Sequence, residues 1–266
     1  MSEPFATKDY WERRLRDHFS LEGVGYLRLG RRFNEWMYRV RGEVFDRVVD
    51  DLSLPAACSV LDVGSGTGFY IERWLRRTDK VTGVDLTEVA VTNLSATFRQ
   101  ARFVQANIGK PLASPLDQER GSFDVVSAFD VLFHIVDDQE YALALQNIAS
   151  LLKLRGLFVW SDNFIHQPTV RVAHQVSRSL DESTAALDAA GFEVIGRVPM
   201  FVVMNYPADT TSRLTKWAWT AMMAPAMASD LVGGLLGWLL FPLERRLVRK
   251  GTESPSTELM ICRRRP

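Results

Sequence analysis

Cysteine is nearly absent from this 266-residue chain: only Cys58 and Cys262 occur, far apart and in no metal-ligand spacing. That argues against a disulfide scaffold or a thiolate zinc site, and it suits a reducing cytosol. Histidine is sparse as well, with four in all and no H-x-x-x-H pair, so a metal-dependent reaction is not expected. Net charge is missing too. The 32 basic and 32 acidic residues balance, leaving no global field to attract nucleic acid. There is no internal repeat and no low-complexity tract. The first residues carry Glu3, Lys8, Asp9, Glu12, Arg13 and Arg14, too many charges for a secretory signal, so a cytoplasmic location is expected.

What the chain does have is apolar content. At 47% hydrophobic over 266 residues it can bury a full core, and one elaborated α/β domain fits that length. Short apolar runs alternate with helical patterns. Val60–Val63, Lys80–Asp85, Arg102–Ala106, Phe123–Phe129, Leu157–Ser161, a stretch within Phe192–Met204, and Thr257–Cys262 read as seven strands. Thr87 is placed to cap a helix running to about Phe98. Asp137 with Glu140 forms a capping-box-like start for a helix whose apolar face includes Tyr141, Leu145, Ile148 and Leu152, with Gly156 as its stop. Asp181 to Ala190 reads as a shorter helix closed by Gly191. Strands alternating with helices predict a doubly wound, mostly parallel seven-stranded sheet covered on both faces.

The densest signal is Val60-Leu-Asp62-Val-Gly64-Ser65-Gly66-Thr-Gly68, a buried strand, an acid, and a glycine-rich turn opening onto a helix. Such a turn brings bare backbone near a ligand, and the following helix aims free N–H groups at the same place. A dinucleotide turn, G-x-G-x-x-G, would need its third glycine at position 69, where the chain has Phe69. Instead the pattern [DE]-x-G-x-G-x-G resembles motif I of the class I S-adenosylmethionine-dependent methyltransferases. Asp85 ends the second strand, 23 residues after Asp62, where an acid can accept both hydroxyls of a ribose.

The resemblance covers roughly residues 56–204 and 256–264. It implies a Rossmann-like methyltransferase fold with S-adenosylmethionine as cofactor and S-adenosylhomocysteine as product. It implies cofactor contacts from Asp62, Gly64, Ser65, Gly66, Gly68, Asp85, Leu86 and Phe129. Asn107-Ile108 stands where the family contacts adenine, usually with an acid followed by an apolar residue. Asn at that position keeps the hydrogen-bonding capacity without the charge. Asp130 to Asp138 resembles the segment that flanks the reacting methyl group. Within it His134, just past the fourth strand, is the candidate base, with packing or loop orientation as the alternative role.

Two segments fall outside that core. Residues 1–55 read as an aromatic helical cap, from which Tyr10, Tyr26 and Tyr38 are candidate substrate contacts. His166, past the fifth strand, is a fourth. Residues 205–252 are an apolar insertion between strands six and seven, in which Pro225, Asp230 and Gly233-Gly234 interrupt what length alone would allow as a span. A substrate lid, a dimer face and a membrane-surface contact through 217–250 all stay open, the last suggested by Arg245, Arg246, Arg249 and Lys250. The core is then 56–204 plus 253–266. The function expected is methyl transfer to a small-molecule acceptor, favouring an oxygen nucleophile, lipophilic or aromatic in character. N- or C-methylation, or a nucleotide-binding homologue that does not methylate, are the alternatives.

Overall fold

The computed structural model describes residues 6–266. Residues 1–5, the start of the expected cap with Glu3, lie outside the described residues. Three helices come first, α1 (Thr7–Asp17), α2 (Leu21–Val24) and α3 (Gly30–Asp51). Alternation follows: β1 (Val60–Val63), α4 (Phe69–Leu75), β2 (Val81–Asp85), α5 (Glu88–Thr97), β3 (Arg102–Gln105), β4 (Phe123–Phe129), α6 (Asp138–Leu151) and β5 (Leu152–Asp162). A hairpin of β6 (Val170–Val172) and β7 (Gln175–Ser177) precedes α7 (Leu180–Ala189) and β8 (Phe192–Pro199). Helices α8 (Arg213–Ala228) and α9 (Asp230–Lys250) lead into β9 (Glu258–Arg264).

The main sheet has seven strands in the order β3-β2-β1-β4-β5-β9-β8. All pairs from β3 to β5 are parallel, and β9 runs antiparallel to both β5 and β8. Strands β1 and β2 are buried at every residue, which explains their unalternating apolar sequences. The chain leaves β1 for β2 on one side and returns to β4 on the other, so the crevice opens at the carboxyl ends of β1 and β4. One face of the sheet shares a core with α3, α4 and α8 through Phe33, Phe45, Trp74 and Met223. The other is covered by α6 and α7 through Leu145, Ile148 and Leu187.

Local details match or correct the sequence expectations. Thr87 Oγ1 accepts from the Ala90 amide at 3.3 Å, as a cap should. Asp137 caps α6 by accepting from Gln139 and Glu140, both at 2.9 Å, but Glu140 turns away to Lys110 at 2.6 Å. Only one half of the expected capping box therefore forms. Gly156 does not stop α6. The helix already ends at Leu151 and β5 begins at once, with Gly156 inside it beside a register shift between Phe123 and Val125. A Cβ there would lie 2.9 Å from the Lys153 carbonyl oxygen, so glycine serves close backbone approach. The β6–β7 hairpin had no counterpart in the strand pattern. Its β6 residues are all exposed, so no apolar alternation marks it. Among the described residues no helix is long and apolar enough to cross a membrane.

Candidate active site

A cavity of about 330 Å³ lies at the carboxyl edge of β1, β2, β3 and β4. Its floor is the turn Gly64–Thr67. One side is Asp85 and Leu86 with Asn107 and Ile108, the other is Phe129, Asp130 and Val131, and α1 closes it from above with Thr7, Trp11 and Leu15. Gly64 has φ +73°, and a Cβ there would sit 2.2 Å from Val131, so no other residue fits without rearrangement. Gly68, at φ +86°, starts α4 and packs against Phe98 and Leu94 of the α5 segment rather than lining the cavity.

The two acids of the motif are held differently. Asp62 is buried behind the turn, where its Oδ1 accepts from Ser127 Oγ at 2.6 Å and its carbonyl from Ser65 Oγ at 3.0 Å. Burial pushes its carboxyl up to about 7 against the hydrogen bonds that favour the anion. It shapes the turn and does not line the cavity. Asp85 does line it. Its Oδ2 accepts from the Gly66 amide at 2.9 Å, and its Oδ1 from the Thr87 amide at 2.9 Å and hydroxyl at 2.7 Å. A carboxylate offers about four acceptor positions, so three chain contacts leave room for about one more donor. The geometry therefore fits one hydroxyl better than the pair expected from sequence. Burial raises the Asp85 carboxyl, and the Thr87 and Gly66 hydrogen bonds oppose that.

A buried charged cluster backs the far wall. Arg41 of α3 is 7% exposed and pairs with Asp130. Burial would lower the guanidinium, but Asp130 and the nearby Tyr70 and Tyr38 phenols hold it above its ordinary value. Asp130 sits at φ +58°, uncommon for a residue with a side chain, and exchanges hydrogen bonds with Ser161 at 2.9 Å through its amide and its Oδ1. Tyr70 stacks on Phe129 at 3.9 Å. Tyr38 lines the cavity, its phenol pushed up to about 12 by burial, so it is a hydrogen-bond donor at neutral pH. Thr67 Oγ1, also in the wall, is buried and without a hydrogen-bond partner.

His134 sits opposite, in a one-turn 3-10 helix after β4, with its ring 4.9 Å edge-on from Trp11. Its Nδ1 lies 2.9 Å from the His174 carbonyl oxygen. A carbonyl only accepts, so Nδ1 carries the proton and Nε2 is left as an acceptor. The side chain lines the cavity yet is packed closely on its other sides, and this burial pulls its pKa down to about 4. The imidazole is neutral at physiological pH.

The structure thus brings Gly64, Ser65, Gly66, Asp85, Leu86, Asn107, Ile108, Phe129, Tyr38 and His134 to one cavity. Asp62 and Gly68 support the turn from behind. Tyr10, Tyr26 and His166 do not line the cavity. Tyr10 accepts from Arg14 at 2.7 Å and stacks near His174, and Tyr26 stacks on Trp219. His166 is held by Asp209 at 2.6 Å, which raises its pKa. Sequence reasoning missed Trp11, Arg41, Thr67, Tyr70 and Asp130. For Trp11 a signal was present: Thr7, Trp11 and Leu15 recur at every fourth residue, one face of α1.

The family model described as a methyltransferase domain matches residues 60–156, the segment that supplies the turn, Asp85, Asn107 and His134. Residues 60–156 therefore carry a methyltransferase domain, in keeping with the S-adenosylmethionine-dependent fold that the glycine turn resembles. No curated protein matches it in sequence. Among solved structures it is similar to the N-methyltransferase NodS from Bradyrhizobium japonicum, crystallised with S-adenosylhomocysteine. The identity is 13%, the match covers 97% of this chain and 98% of that one, and the TM-score is 0.56. It is also similar to an S-adenosylmethionine-dependent methyltransferase from Clostridium acetobutylicum, at 12% identity, covering 86% and 92%, TM-score 0.54. The cyclase SpnF matches equally well, at 16% identity, 84% and 80% coverage and TM-score 0.57. Likeness at these identities establishes the fold alone, and a fold does not fix a reaction.

Proposed function

We propose that this protein transfers a methyl group to a small, lipophilic or aromatic acceptor through an oxygen nucleophile. The observation that carries this reading is the shared cavity, in which the glycine turn and Asp85 face a wall of Trp11, Tyr38, Tyr70, Phe129 and His134. S-adenosylmethionine, when bound, supplies an electrophilic methyl group on a positively charged sulfur. The residues present fit that group: the turn has backbone exposed by Gly64 and Gly66, Asp85 retains an acceptor position, and Thr67 Oγ1 is an unpartnered hydroxyl in the wall. On this reading Asp85 holds a ribose hydroxyl, Asn107 and Ile108 flank the adenine, and Gly64, Ser65 and Gly66 lie along the amino-acid end.

The chain's own part in the reaction is placement. Aromatic faces exclude water and suit a cationic centre. Helices α1 and α3 hold the acceptor against the cavity mouth, which shortens the distance a nucleophile must cover. His134 is the group for proton removal, through Nε2, with the His174 carbonyl fixing its tautomer. Its depressed pKa makes it a weak base, so its contribution belongs at the low end of the usual range for proton transfer. The cap 1–55 and the insertion 205–252 would then set acceptor choice.

The test is a mass-shift screen pairing phenols and lipophilic alcohols with amines of matched size. A methyl gain confined to the hydroxyl series supports the reading. A gain confined to the amines replaces it with N-methylation.

A further inference from the structure

The hairpin of α8 and α9 inverts the usual placement of side chains. Among the described residues fifteen large apolar side chains are exposed, and eight of them lie between Leu214 and Leu243. Trp217 is 69% exposed, Leu231 66% and Trp238 58%. On α9, Leu231, Leu235, Trp238, Leu239 and Leu243 recur at helical spacing and form one outward stripe. The inward faces are already occupied. Helix α9 buries Gly233, Gly237, Glu244 and Val248, and α8 buries Trp219, Met223 and Ala226. The outward stripe therefore reflects the amino-acid pattern, not a failure to pack, and contiguous apolar surface of this kind marks an interaction site.

Charge identifies the occupant. Ser229 alone joins the two helices, which fold back so that both reach the 202–204 segment. Trp219 Nε1 donates to the Val203 carbonyl at 3.0 Å, and Glu244 accepts from the amides of Val202, Val203 and Met204 at 2.5, 2.8 and 3.2 Å. That arrangement puts Arg213 and Lys216 at the same open end as Arg245, Arg246, Arg249 and Lys250. Residues 213–250 hold six basic and two acidic side chains in a chain of zero net charge. Of the two acids Glu244 is buried, and Asp230 already accepts from the Arg32 amide at 2.8 Å. Arg245 and Arg249 share Glu43, while Arg213, Arg246 and Lys250 have no ion pair among the described residues. A self-paired copy would meet the same basic surplus with no spare acids to answer it. An anionic lipid surface answers it directly.

We propose that the outer face of the α8–α9 hairpin docks on an anionic bilayer. The exposed Trp217 and Trp238 rings lie at the headgroup–acyl boundary, where amphipathic rings are favoured, and the basic end lies on the headgroups. The stripe from Leu231 to Leu243 is too short to span the bilayer. Helix α9 packs along α3, whose Tyr38 lines the cavity, so the docked face adjoins the cap of the site. The inference concerns this surface alone and holds whichever acceptor the cavity takes.

Vesicle flotation of the full chain tests it, using phosphatidylcholine vesicles with and without about a third phosphatidylglycerol. The wild type is expected to float only with the anionic vesicles, and less as salt rises. A Trp217→Ser/Trp238→Ser variant should lose about tenfold or more in partitioning, and Arg246→Glu/Lys250→Glu a smaller factor. All three proteins should share one melting temperature and one affinity for S-adenosylhomocysteine, which separates loss of docking from loss of fold or of the cofactor site. Absence of flotation by the wild type overturns the proposal, as does flotation unaffected by the tryptophan substitutions. A concentration-dependent dimer that those substitutions abolish overturns it too, assigning the face to a second copy.

Discussion

The cavity edge of the sheet and the α8–α9 hairpin each break the rule that apolar groups go inside and polar groups outside, in opposite senses. At the cavity, Asp62, Asp85 and Arg41 are buried, each held by named partners, and burial raises both acids. On the hairpin, tryptophans and leucines face solvent while an acid, Glu244, lies fully buried beneath them. Buried polar groups cost stability unless satisfied, which the named partners achieve, whereas an exposed apolar stripe has no such compensation within the chain. In the cavity the departure follows the glycine turn, and in the hairpin it follows helical spacing.

The largest effect should come from the one acid the hairpin buries. Glu244→Ala leaves three amides without their acceptor and should lower stability by about 3 kcal/mol or more, read as a falling denaturation midpoint. A loss below about 1 kcal/mol would mean that water replaces the carboxylate and that the hairpin is not anchored there. Next comes Asp85→Asn. Losing a charge-assisted contact should weaken S-adenosylhomocysteine binding by about 10- to 100-fold in calorimetry. Unchanged affinity would place the ribose elsewhere.

His134→Ala is expected to lower turnover by about tenfold to a hundredfold with cofactor affinity unchanged. Its pH signature distinguishes a base from a packing residue. A base must be neutral to accept a proton, and His134 stays neutral until pH falls through about 4. The acid limb of the rate profile should therefore lie near 4, below the 6.5 of an ordinary histidine, and the alanine variant should lose that limb. A limb at 6.5 would assign proton removal to another group. The smallest effect is on the hairpin's outer face, where Trp217→Ser/Trp238→Ser should change stability by under about 0.5 kcal/mol. A large loss would show those rings packing inward and would remove the contrast with the cavity.

The sheet and its turn were legible because their signals are local. A strand, an acid and closely spaced glycines lie within nine residues, and Asp85 ends the neighbouring strand. Seven strands and their helices follow from apolar runs and caps. What was not legible depends on long-range packing. Arg41 and Asp130 meet across 89 positions, and nothing in either segment names the other. Tyr70 and Phe129 stack across 59 positions of sequence, a pairing neither segment announces. Among the cap aromatics, residue type alone could not choose. Tyr10 and Trp11 are adjacent, yet α1 turns Trp11 into the cavity and Tyr10 toward Arg14 and His174. His166, also past a strand end, was a candidate substrate contact by position, but Asp209 from the segment before α8 holds it.

The central claim is that the cavity between the glycine turn and Asp85 is an S-adenosylmethionine site. Titration calorimetry on the wild-type chain with S-adenosylhomocysteine, and separately with NAD, tests it most directly. Saturable one-to-one binding of S-adenosylhomocysteine with no binding of NAD is the expected result. Tight NAD binding with S-adenosylhomocysteine silent would contradict it.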